Sequence, residues 1–99
     1  MSLPQTNPVS SPVSTALNIT TATVIKTAPG VLVSCSVLVN GSSEGGIYDC
    51  TTVAAASIAN QLIGIPTNIG IPIDLTNWSC KNGIVVIPGT GQTVAIAYE

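Results

Sequence analysis

The side chains in this sequence that could do chemistry are few: the carboxylates Glu44, Asp49, Asp74 and Glu99, the amines Lys26 and Lys81, and the thiols Cys35, Cys50 and Cys80. Histidine is missing altogether. That removes Ser-His-Asp and Cys-His nucleophilic mechanisms and metal sites built on imidazole. Glycoside hydrolysis needs two carboxylates facing one another. Asp49 and Asp74 could meet across two strands, but each reads as an ordinary solvent-face or turn residue, and Glu99 is the last residue. The stretch Gly41 to Gly46 (GSSEGG) offers backbone amides to an anion, yet it lacks the lysine and following helix of a phosphate loop. It reads as a flexible hairpin loop, and Pro88 to Gly91 reads as a tight turn. No catalytic, cofactor or metal residue is assigned, and the expectation is a protein that is not an enzyme and carries no cofactor.

The remaining reactive groups fit structural roles. Cys35, Cys50 and Cys80 stand fifteen and thirty residues apart, which matches no zinc or redox motif. Three reduced cysteines, with at least Cys35 packed as a small core hydrophobe, is the favoured reading, and one disulfide is the other. Trp78, the single tryptophan, is either packed under a loop at the sandwich edge, the favoured reading, or exposed as a partner anchor. Asn18-Ile19-Thr20, Asn40-Gly41-Ser42 and Asn77-Trp78-Ser79 match the N-glycosylation pattern. In a chain this rich in Asn, Ser and Thr they read as chance.

The elements that would hold these residues follow from composition. The 99 residues suggest one domain. Hydrophobic residues make up 45% but charged residues only 6%, against about 25% in an ordinary soluble domain. A disordered chain would show the reverse balance. Few charges give little repulsion between copies and cost little to desolvate, so oligomerisation or docking on a larger body is expected. Two lysines without arginine give no footprint for phosphate, so nucleic acid is not an expected partner. The apolar runs, such as Val53 to Ala56 and Ile84 to Ile87, are too short to span a bilayer, so no membrane is expected. The opening MSLPQTNPVSSP shows neither a basic nor an apolar leader segment, so no signal peptide is expected.

Residues 1–15 differ from the rest. Pro4, Pro8 and Pro12 recur every four residues among Ser, Thr, Asn and Gln, which predicts an extended N-terminal segment without a core of its own. It is either a frayed terminus or an arm lying on a neighbouring subunit; on the second reading the three prolines and Trp78 are the candidate interface residues. Residues 16–99 are expected to form the folded domain.

Leu17 to Thr27 is rich in β-branched residues and reads as a strand. Val31 to Asn40 alternates, with Val31, Val33, Cys35, Val37 and Val39 on one face and Leu32 and Leu38 as apolar exceptions on the other. Asn40-Gly41 and Gly45-Gly46 bracket a turn, with Gly46 to Val53 as the return strand. Ala54 to Asn60 is the one helix-friendly stretch and predicts a short helical turn. Gln61 to Ile65 is a short strand ended by Pro66. Asn68 to Thr76 is an edge strand, because Pro72 lies inside it. Trp78 to Gly83 is a connection, and Gly83 to Ile87 with Gln92 to Tyr98 form a hairpin across Pro88 to Gly91. Seven to eight short strands at this spacing predict a small all-β sandwich, plausibly a jelly roll, with one short helical turn.

The segments TATVIKTAPGVL, VLVNGSSEGGIYD, ANQLIGIP and LTNWSCKNGIVVIPGTGQTVAIAY, taken in order, resemble small tailed-bacteriophage virion proteins from Ile19 to Tyr98; the N-terminal segment is not covered. The resemblance rests on the order and spacing of several weak motifs and brings no active-site residues. It implies a head decoration or cement protein, a homotrimer seated on the major capsid protein or another virion protein, assembled in the bacterial cytoplasm and located in the virion. Two other roles fit the residues: a receptor- or glycan-binding module of a phage fibre or tail tip, and a secreted bacterial β-domain.

Overall fold

The computed structural model describes residues 13–68 and 73–99. Eight strands follow in chain order: β1 (Ser14–Ile19), β2 (Thr23–Lys26), β3 (Gly30–Val39), β4 (Gly45–Tyr48), β5 (Gln61–Ile65), β6 (Ile73–Cys80), β7 (Ile84–Ile87) and β8 (Thr93–Tyr98). They form two four-stranded sheets, ordered β1-β8-β3-β6 and β2-β7-β4-β5. Every pairing is antiparallel. The pairs β1–β8, β2–β7, β3–β6 and β4–β5 are those of one long hairpin folded at β4–β5. Rolling it up adds the β3–β8 and β4–β7 pairs and makes a jelly roll.

Leu32, Ile47, Ile65, Ile84, Val94 and Ile96 are fully buried between the sheets. Each such side chain contributes about 1.5–3 kcal/mol from burial, before entropy is counted. Cys35 and Cys80 fill the same core, Cys50 is buried beside it, and all three thiols are free. Burial pushes the Cys35 and Cys80 thiols up to about 11, and the Asp49 charge adds to the rise at Cys80. They are neutral and poorly nucleophilic near pH 7.

Several local expectations are corrected by the topology. The run Leu17 to Thr27 is two strands, β1 and β2, which lie in different sheets. Neither expected hairpin forms. Strand β4 does not pair with β3, and β8 does not pair with β7; each connection crosses from one sheet to the other. Trp78 to Cys80 belong to β6, not to a connection. Two 3₁₀ turns, Val53–Ala55 and Ile58–Asn60, replace the single helical turn. The edge position expected for the Pro72 segment holds for β6 as a whole, while residues 69–72 lie outside the described part. Ser14 and Thr15 already belong to β1, and Pro4, Pro8 and Pro12 lie outside the described residues.

In β3 the alternation changes phase. Leu32 faces Tyr98 and Ser34 faces Ala97, so β3 carries one extra residue there. Such a bulge resets which side chains point inward. Leu32 is therefore core, with Cys35 and Val37, while Val31 and Val33 are only half-buried and Val39 is exposed. The two edge strands of the same sheet are also irregular. Asn18 in β1 and Asn77 in β6 have φ of 56° and 60°, a left-handed conformation that asparagine tolerates better than most residues. Both lie within register shifts. Irregular edges resist unplanned strand addition.

Candidate interaction surface

Among the described residues, the β4–β5 connection, residues 49–60, carries the most exposed large aliphatic side chain. Its shape is written in local polar pairs. Thr52 caps the first 3₁₀ turn, its Oγ1 accepting from the Ala55 N–H at 3.2 Å. Ser57 and Asn60 form a capping box: Ser57 Oγ accepts from the Ala59 N–H, and Asn60 Oδ1 accepts from the Ser57 N–H at 2.9 Å. The Asn60 amide donates back to the Ala55 carbonyl at 2.9 Å, tying the two turns together. The Asp49 N–H donates to the Asn60 carbonyl at 2.8 Å and closes the loop at its base. These bonds leave Val53 and Ile58 outside, Ile58 at 85% exposure. From Cys50 to Ile73 the sequence has no charged residue. An aliphatic side chain held outward by an ordered loop loses little freedom on binding, which favours affinity.

Asp49 anchors this loop to the rest of the fold. Its Oδ1 accepts from the Asn82 N–H at 2.8 Å and the Gly83 N–H at 3.3 Å, and its Oδ2 accepts from the Lys81 N–H at 3.0 Å. Partial burial pushes the Asp49 carboxyl up, but the three backbone donors and the Lys81 charge outweigh it and hold the carboxyl below its usual range. Because the folded value is depressed, the stabilisation is present above the unfolded value, about 3.9. It is lost as pH falls through the folded value. The urea midpoint of the native protein should therefore drop more steeply than that of Asp49→Asn between pH 4 and pH 2. Parallel acid limbs for the two proteins would show that the carboxylate does not hold the turn.

At the opposite end, Gln92 is the buried polar residue of the described core. Its Oε1 accepts from the Gly89 N–H at 2.9 Å and its Nε2 donates to the Pro66 carbonyl at 2.6 Å. The GSSEGG loop is pinned here and is not the flexible hairpin loop its composition suggests. The Gly41 N–H donates to the Thr67 carbonyl, the Ser42 N–H to the Thr90 carbonyl and the Thr90 N–H to Ser43 Oγ. With the Gly41 and Ser42 amides engaged in this way, they are not turned toward an anion.

Of the residues singled out from sequence, Trp78 is 44% exposed on edge strand β6, opposite Leu32 in register. The packed placement is thus not what the fold gives it. The Asp49 carboxylate is committed to the 81–83 backbone, and the backbone of Asp74 lies on β6 opposite Ser34 in register. Among the described residues there is no pocket and no cluster of metal-ligating side chains. No helix among them is long and apolar enough to cross a membrane. Val53 and Ile58 were not legible as surface residues from periodicity. The signal available was the pair of Thr/Ser caps, Thr52 and Ser57, in an uncharged stretch.

Comparison with known proteins gives no match to a protein family, to a curated protein or to a solved structure. The resemblance to phage virion proteins therefore stands on the sequence motifs alone.

Proposed function

We propose that this protein is a structural subunit of a bacteriophage virion, a head decoration or cement protein that docks as a homotrimer on the capsid lattice and performs no catalysis. The observation that carries the docking role is Ile58, exposed on a doubly capped loop whose one charged residue is its anchor, Asp49. A side chain presented this way suits insertion into an apolar hollow of a larger body. Low charge over the whole chain lowers the desolvation cost of the contact. The phage assignment itself rests on the sequence resemblance. The added buried interface stabilises the occupied lattice by mass action.

The test is co-sedimentation of the purified chain with heads of the phage whose genome carries its gene. Wild type should be retained, and Ile58→Asp should bind at least about 30-fold more weakly, the scale of a hot-spot side chain, with an unchanged circular dichroism spectrum. Lack of retention of the wild type would overturn the role. Trp78 favours a second reading, a receptor- or glycan-binding module of a fibre or tail tip, since its ring is available to stack on a sugar. Quenching of its fluorescence by oligosaccharides, without head binding, would select that reading.

A further inference from the structure

The sequence contains two Asn-Gly pairs, Asn40-Gly41 and Asn82-Gly83. Glycine has no Cβ beside its nitrogen, so it leaves the preceding asparagine side chain open to attack by the backbone. The glycine nitrogen, once stripped of its proton, adds to the asparagine Cγ; a C–N bond forms and ammonia leaves. Water then opens the cyclic imide at one of its two carbonyls and gives aspartate or isoaspartate. An unfolded chain exposes both pairs to this reaction, whereas the fold treats them differently.

At Asn82-Gly83 the obstacle sits on the attacking nitrogen itself. The Gly83 N–H donates to Asp49 Oδ1 at 3.3 Å, on the carboxylate that also takes the Lys81 and Asn82 N–H groups. Removing that proton would set an amide anion against a carboxylate, and a like charge so close disfavours it. The charge-assisted hydrogen bond would be lost as well. Gly83 is also buried, and a Cβ on it would run into the carbonyl oxygens of Cys50 and Lys26, so two other segments of main chain pack against it. Asn82, by contrast, is exposed to water. At Asn40-Gly41 the attacking nitrogen has a different guard: the Gly41 N–H donates to the uncharged Thr67 carbonyl at 2.8 Å.

We propose that Asn82 is a latent modification site, whose deamidation Asp49 holds off in the folded protein and which reacts when that latch opens. The change is one-way. Either product places a new carboxylate in the turn that the Asp49 carboxylate holds. Isoaspartate also inserts a methylene into the main chain between the N–H groups of residues 82 and 83, so three consecutive N–H groups no longer converge on one anion. Asp49 stands at the base of the 49–60 loop, where its own N–H donates to the Asn60 carbonyl. Each event therefore frees the β6–β7 turn from that loop permanently. The inference does not rest on the head-docking role and is read on isolated protein.

The experiment is peptide mapping by mass spectrometry, after acid digestion, of protein held for days at mildly alkaline pH. Deamidation at Asn82 in the native protein should be at least about tenfold slower than in the same chain unfolded in urea, the scale of one lost hydrogen bond to a charged group. Asp49→Asn, which keeps an acceptor oxygen but loses the charge, should remove most of that protection at Asn82 and leave the Asn40 rate unchanged. Asn40 is the internal reference, since a general loss of stability speeds both pairs. In the deamidated product, the amides of residues 81–83 should exchange with solvent faster than in the unmodified protein. Native Asn82 reacting as fast as in urea, a rate indifferent to Asp49→Asn, equal acceleration at Asn40, or unchanged amide protection in the product would overturn the proposal.

Discussion

Leu32→Ala should destabilise the protein by about 2–5 kcal/mol, while Leu38→Ala on the same strand should change stability by less than about 0.5 kcal/mol. The two leucines are six positions apart in a run that alternates, and by period alone they share a face. The structure separates them. Leu32 is fully buried, opposite Tyr98 and Trp78, so truncation removes apolar contacts and leaves a void that close-packed neighbours fill only in part. Leu38 is half out in solvent at the end of β3. Urea denaturation of the two variants checks the claim. Equal losses would mean that the extra residue between Leu32 and Ser34 does not reset the phase of the strand.

The second large effect is expected at Gly89. A Cβ there would overlap the carbonyl of Ser43 and crowd the backbone of Glu44. The obstacle is main chain and cannot rotate away. The Ser43 loop is held in place by its bonds to Thr90, and Gly89 donates its own N–H to buried Gln92. Gly89→Ala should therefore cost on the order of 3 kcal/mol, and Gly89→Val should fail to fold. Gly64 is the control. It lies exposed in edge strand β5, and a Cβ there meets nothing nearer than Gln61 Nε2 at 3.9 Å. Gly64→Ala should be neutral or slightly stabilising, because it narrows the unfolded ensemble without strain. A thermal melt of each variant is sufficient. Similar melting temperatures for the two alanine variants would refute the close approach of the two loops.

The Asp49 and Gly89 contacts sit at different junctions but share a logic. Each locks a connection that crosses or flanks the sheets to a distant part of the chain, Asp49 to 81–83 and Gly89 to 43–44. A jelly roll has few sequence-local contacts between its strands, so such long-range locks hold its ends in register.

Much of the strand content was legible from residues two apart. Gln61 to Ile65 ends at Pro66 as its turn chemistry requires, and β3, β7 and β8 fall within one residue of their expected bounds. The class of fold followed from the number and spacing of these runs. Pairing did not. Pro88 to Gly91 and Asn40 to Gly46 have the composition of hairpin turns, yet both carry the chain between sheets. A turn's residues specify that the chain reverses, not which strand waits on the far side. That choice depends on which apolar faces can be buried together over the whole chain, and here β8 lies between β1 and β3. Exposure was decided at the same level. Trp78 and Ile58 are both large and apolar; the Ser57 cap beside Ile58 marks a turn without saying which side chains stand outside it, and nothing within a few residues of Trp78 says that it does. Leu32, by the same token, entered the core through a bulge that local alternation does not encode, because burial is a property of the assembled sheets and not of the strand alone.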